Sequence, residues 1–209
     1  MVRHRVRIRF CKQGDLRWIG HRDLIRCLER LFRRAGLPLE MSRGFHPKPR
    51  MTFPAALAVG IEGTDEIMEL GLAESRTESD VLEALRRHAP PGLTFQGVER
   101  VPPDGKKAQV RSVSYQVPIP PPCRSGLSEK VDRLLAGSSC PIHRPNRETP
   151  LDLRPLLEEL TLREGVLSMR LRTDHGGSVR PREVLAELGL AEVEHQGVHL
   201  TRTTVEVQS

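Results

Sequence analysis

Three observations predict an α+β fold of two tandem ferredoxin-like (βαββαβ) halves. The chain begins with a strictly alternating strand, an amphipathic helix follows it, and a strand–helix–strand–strand–helix–strand order recurs more weakly beyond a turn-rich junction. The 209 residues allow one large domain or two small ones. Aromatics are scarce at 3%, yet the 37% hydrophobic content includes enough Val, Leu and Ile for a core.

In Arg3-His4-Arg5-Val6-Arg7-Ile8-Arg9-Phe10 a strand sends Val6, Ile8 and Phe10 to one face and the arginines to the other. From His21 to Ala35 the period changes to that of a helix. Leu24, Ile25, Leu28, Leu31 and Phe32 make its apolar side, Arg22, Arg26, Arg30, Arg33 and Arg34 gather opposite, and Gly36 supplies the stop. Short extended pieces are expected around Leu37–Ser42 and Met51–Val59, then a strand from Glu66 to Ala73 with Met68, Leu70 and Leu72 inward. Ser79 is the expected cap of a helix running to His88, which Pro90-Pro91-Gly92 ends, and Leu93–Val101 reads as the next strand.

Pro102-Pro103-Asp104-Gly105-Lys106-Lys107 is the expected junction, with domains at residues 1–102 and 113–209. Beyond it a strand is expected at Val113–Ile119. A helix capped by Ser125 or Ser128 then stops at Gly137, and Cys140–Pro155 is punctuated by Pro and Arg. An alternating strand follows at Val166–Arg172, then a short helix at Val179–Leu188 with Pro181 in its first turn, and a closing strand at His199–Val207.

No run of about 18 apolar residues exists, and the arginine-rich start differs from a secretory signal. The cysteines, Cys11, Cys27, Cys123 and Cys140, form no Cys-x-x-Cys pair. Together these predict a cytoplasmic protein without a membrane partner. The net charge of +6 is uneven. Residues 1–50 hold 14 Lys and Arg against 4 Asp and Glu, so the rest of the chain is net acidic. A clustered basic region suits a polyanion, since each cation that meets a phosphate releases counterions. The alternative is a solvated, arginine-rich surface.

The segment Arg43-Gly44-Phe45-His46-Pro47-Lys48-Pro49-Arg50 is the most unusual. Its prolines hold the backbone extended and remove amide donors, which predicts an exposed loop. Cations flanking flat rings suit single-stranded RNA, where bases stack on aromatics and phosphates meet the charges. The alternative is a rigid connector with Phe45 packed into the core. The strand arginines could add to a positive platform, or Glu66 and Glu69 on the neighbouring strand could neutralise them.

The candidate nucleic-acid-binding set is therefore His21, Arg22, Arg26, Arg43, Phe45, His46, Lys48 and Arg50. His21 and His46 could instead serve as general base and acid in metal-independent RNA cleavage, or be a capping and a surface histidine. No catalytic residue is assigned. Cys140-Pro141-Ile142-His143 lacks a second pair to complete a zinc site, and no glycine-rich phosphate loop or three-cysteine cluster motif occurs. Neither a metal nor a cofactor is expected.

Taken together, Gly14-Asp15-Leu16-Arg17-Trp18-Ile19-Gly20-His21-Arg22-Asp23-Leu24, Arg34-Ala35-Gly36-Leu37-Pro38, Ser42–Arg50, Gly60-Ile61-Glu62, Leu153-Arg154-Pro155 and Val179–Leu185 resemble the radical-SAM-associated bacterial family of uncharacterised proteins. The resemblance spans essentially the whole chain. His46, Lys48 and Gly20 stand where that family usually has Asn, His and Ser. The resemblance implies a radical S-adenosylmethionine enzyme as partner and brings no established activity. The leading expectation is a non-catalytic, RNA-binding or substrate-presenting accessory protein. The alternatives are a metal-independent endoribonuclease and a protein–protein adaptor that binds no RNA.

Overall fold

The computed structural model describes residues 4–102, 104–145, 148–174 and 177–208. Arg3 and Pro103, read above as part of the first strand and of the junction, lie outside these residues, as does Ser209. The fold is mixed α+β and divides into two compact units, residues 1–109 with 207–209, and residues 110–206. None of the described helices is long and apolar enough to cross a membrane.

The first unit contains β1 (His4–Lys12), α1 (His21–Arg34), β2 (Met51–Thr52), β3 (Glu62–Leu72), α2 (Glu78–His88) and β4 (Leu93–Val101). Its strands lie in the order β2-β3-β1-β4, and each neighbouring pair is antiparallel. The two-residue period of β1 is realised: Val6, Ile8 and Phe10 are buried. They join Leu24, Leu28, Leu31 and Phe32 of α1, Val81 and Leu85 of α2, and Met68, Leu70, Phe95 and Val98 of the sheet in one core. Burying a side chain of this size stabilises by about 1.5–3 kcal/mol, so this cluster fixes which face of the sheet the helices cover.

The opposite face of β1 carries Arg5, Arg7 and Arg9. Register sets their partners. Arg7 stands directly across from Glu69, whereas Glu66 stands across from Phe10 on the helix-covered face. Residues 66 and 69 differ by an odd number, so an alternating strand cannot present both to one face. Pairing of the strand arginines with Glu66 and Glu69 is therefore corrected in one member. Glu69 takes Arg7 at 3.1 Å and Arg5 at 3.8 Å, and Asp65, in phase with Glu69, takes Arg9 at 2.8 Å.

Other elements shift in detail. Thr77, not Ser79, caps α2, its hydroxyl accepting from the Asp80 amide at 3.1 Å. The expected extended stretch at Met51–Val59 shrinks to the two residues of β2. The piece at Leu37–Ser42 contributes only isolated bridges, Leu39 to Leu72 and Met41 to Pro49.

The second unit holds most of β5 (Gln109–Pro118), then α3 (Leu127–Ala136), β6 (Pro141–Ile142), β7 (Leu151–Asp152), β8 (Leu157–Arg163), β9 (Val166–Asp174), β10 (Gly177–Ser178), α4 (Pro181–Glu187) and most of β11 (Thr201–Gln208). Here β9 pairs antiparallel with β8 and with β5, and β11 lies beside β5. Gly126, in a left-handed conformation at φ 66°, precedes α3 where a serine cap was expected. Strand β8 had no counterpart in the sequence reading.

A bidentate ion pair closes the start of α4. Arg144 donates through Nε and Nη2 to the Glu183 carboxylate, each at 2.7 Å, and Glu183 also accepts from the Arg180 amide at 2.7 Å. Burial works to raise the Glu183 pKa, but the hydrogen bonds from Arg144 and Arg180 outweigh it and hold the carboxyl below its ordinary value. A carboxylate with a depressed folded-state pKa stabilises the fold above its unfolded pKa, and that contribution fades as pH falls through the folded value. Arg144→Ala is expected to destabilise by about 2–3 kcal/mol at pH 7, with the difference from wild type shrinking once pH drops below about 4.3. Urea melts at neutral and acidic pH check this; an equal difference at both would refute the assignment.

Candidate nucleic-acid interface

The chain that leaves α1 returns as a closed hairpin along β3. The Glu40 amide donates to the Gly71 carbonyl at 2.9 Å, the Arg50 amide to Glu40 at 2.8 Å, and the Gly71 amide to Arg50 at 2.8 Å. Farther out, the Ser42 amide donates to the Lys48 carbonyl at 2.8 Å and the Lys48 amide to the Ser42 hydroxyl at 3.0 Å. These bonds clamp both legs of the hairpin, and the residues between them form its tip. Pro47 and Pro49 carry no amide hydrogen, which fits a hairpin leg but not an interior strand. Gly44 sits at φ 129°, a conformation that side chains with a Cβ rarely adopt.

At that tip Phe45 is 102% exposed, so its ring forgoes the burial that a phenylalanine usually gains. Arg43, His46 and Lys48 are exposed around it. Neither Arg43 nor Lys48 forms an ion pair among the described residues. The alternative in which Phe45 packs into the core is not the arrangement found. Arg50, at the hairpin root, is offset by Glu40 at 3.2 Å.

Helix α1 carries Arg22, Arg26, Arg30 and Arg33 as an exposed stripe at spacings of four, four and three residues. Arg26 meets Asp23 at 3.2 Å, in a pair so exposed that it stabilises little. His21 opens the helix, with its ring edge-on to Phe53 at 5.0 Å between centroids. The predicted residues thus fall on two elements. His21, Arg22 and Arg26 belong to the helix and Arg43 to Arg50 to the hairpin, and the ion pairs of Arg26 and Arg50 stay within their own elements.

The strand arginines do not add to an open platform, because their charges are met by Glu69 and Asp65. Glu69 is 2% exposed, and its Oε1 accepts from Arg7 at 3.1 Å and from the Ala108 amide at 3.2 Å. Arg5 also donates to the carbonyls of Gly105 and Lys106, fastening the segment after β4.

Two features escaped the sequence reading. Trp18 is 61% exposed, and the Arg17 guanidinium lies 4.9 Å from its ring centroid, a cation–π pair whose only sequence signal is the adjacency of the two residues. The second is a cavity of about 400 Å³ at the hairpin root, lined among others by Arg5, Glu40, Arg50, Glu69, Gly71 and Lys107. No local pattern announces it, since its walls come from four separate stretches of chain.

No curated protein matches the chain. A family model does, over residues 5–181, which include the strand, helix and hairpin just described. The chain therefore belongs to the bacterial family described as "Uncharacterized protein conserved in bacteria (DUF2344)".

Proposed function

We propose that this protein is a cytoplasmic, non-catalytic RNA-binding accessory protein that grips a single strand with the hairpin at residues 42–50. The observation that carries the reading is the Phe45 ring, wholly in solvent on a closed hairpin, between two cations that no carboxylate neutralises among the described residues. A base stacks on such a ring whatever its identity, and Arg43 and Lys48 stand where neighbouring phosphates pass. The exposed arginine stripe of α1 supplies further cations for the phosphates of a longer strand. The partner class, a radical S-adenosylmethionine enzyme, follows from the family resemblance set out above. Two ferredoxin-like halves remain our reading of the architecture, supported by the order β2-β3-β1-β4 in the first unit.

Phe45→Ala tests this directly. The side chain makes no packing contribution to lose, so the fold is expected to keep its stability. Affinity for a single-stranded oligoribonucleotide should drop about tenfold, within the range of about 1–3 kcal/mol for one stacked base. Fluorescence anisotropy measures it, and an affinity unchanged from wild type would remove the hairpin from the interface.

A further inference from the structure

We propose that the cavity at the hairpin root holds one ribonucleotide, its phosphate met by Arg5, Arg50 and Lys107 and its ribose 2′-hydroxyl donated to Glu40. The inference deepens the RNA-binding reading and rests on it for the source of the nucleotide. A volume of about 400 Å³ lies within the size range of small-molecule sites, about 300–1,000 Å³. Three cations and two carboxylates line it, which leaves an excess positive charge for one anionic group.

The carboxylates are not equivalent. Glu69 is buried and already engaged by Arg7, Arg5 and the Ala108 amide. Glu40 is 29% exposed, and its Oε1 faces Arg50 at 3.2 Å. Its Oε2 lies over Gly71, 2.6 Å from where a Cβ would stand, so the glycine makes the room that this carboxylate occupies. An oxygen so placed can accept from a sugar hydroxyl, the group that distinguishes RNA from DNA. Met51 and Pro102 add apolar surface to the wall, suited to the flat face of a base. Ser42, which clamps the hairpin, also lines the cavity, so the hairpin and the cavity share a wall.

Isothermal titration of the full chain with adenosine 5′-monophosphate, its 2′-deoxy counterpart, and matched oligoribo- and oligodeoxyadenylates tests the proposal. Saturable binding of the ribonucleotide is expected, about tenfold tighter than the deoxynucleotide, as for loss of one hydrogen bond to a charged group. Lys107 is exposed, so Lys107→Ala should fold normally and weaken both mononucleotides about tenfold. Glu40→Ala, which removes the acceptor, should bring the ribo and deoxy affinities close together.

Equal affinity of the wild type for ribo- and deoxynucleotide overturns the proposal, as does the absence of a saturable signal at millimolar ribonucleotide. If that absence accompanies oligoribonucleotide binding that depends on Phe45, the cavity inference alone fails. If the mononucleotide binds through Lys107 while no oligonucleotide binds, the cavity inference holds and the hairpin reading fails.

Discussion

Replacing Glu69 by alanine is expected to lower the unfolding free energy by about 3–5 kcal/mol, the cost typical of removing one partner from a buried ion pair. The effect is large because of who is left behind. Arg7 is only 15% exposed, Glu69 is its hydrogen-bonding partner among the described residues, and its Nε has none. Arg5 is better protected, since the carbonyls of Gly105 and Lys106 still accept from it. The Ala108 amide loses its acceptor as well. A second variant separates stranded charge from lost packing. Arg7→Met combined with Glu69→Leu removes both charges and keeps the volume, and should recover most of the loss. Chemical denaturation followed by circular dichroism gives the values. If the double variant is no more stable than Glu69→Ala, packing and not charge governs this face of β1.

RNA affinity should fall about 100-fold when salt rises from about 50 to about 200 mM, if about five cations meet phosphates on a single strand. On the proposed reading those cations are Arg43 and Lys48 on the hairpin and Arg22, Arg26 and Arg30 on α1, all of them exposed. The weak pair between Arg26 and Asp23 does not withhold Arg26, since an exposed carboxylate at 3.2 Å is readily exchanged for a phosphate. Removing two contacts with Arg43→Ala and Lys48→Ala should flatten the slope of log affinity against log salt by about 1.4. Neither residue takes part in the core, so stability should not change. A wild-type affinity indifferent to salt would leave the exposed cations without a polyanion partner.

The same residues show how far local pattern reaches. Strand β1 and helix α1 are legible because the periods of two and about 3.6 residues belong to the elements themselves. Strand β8 was not, and the reason lies in its pairing. The register against β9 shifts between Leu157 and Glu159, so the apolar residues Leu157, Leu160 and Leu162 fall out of simple alternation. The cap of α2 had two hydroxyl candidates two residues apart, and only the backbone path selected Thr77 over Ser79. At the candidate site the unusual composition of Arg43–Arg50 marked the hairpin, but its closure depends on bonds to Gly71, remote in sequence.

By itself the sequence determined the alternating basic strand, the arginine-backed helix and the exposed, proline-bound loop, because each is an arrangement of neighbouring side chains. Only the tertiary structure decided that Glu69 and Asp65 neutralise the arginines of β1, and that Arg5, Glu40, Arg50 and Lys107 surround one cavity. Those outcomes depend on the register of β1 against β3 and on where the hairpin and the segment after β4 come to rest. Register and closure are set by contacts between distant segments, and shifting a strand by a single residue would exchange one face for the other.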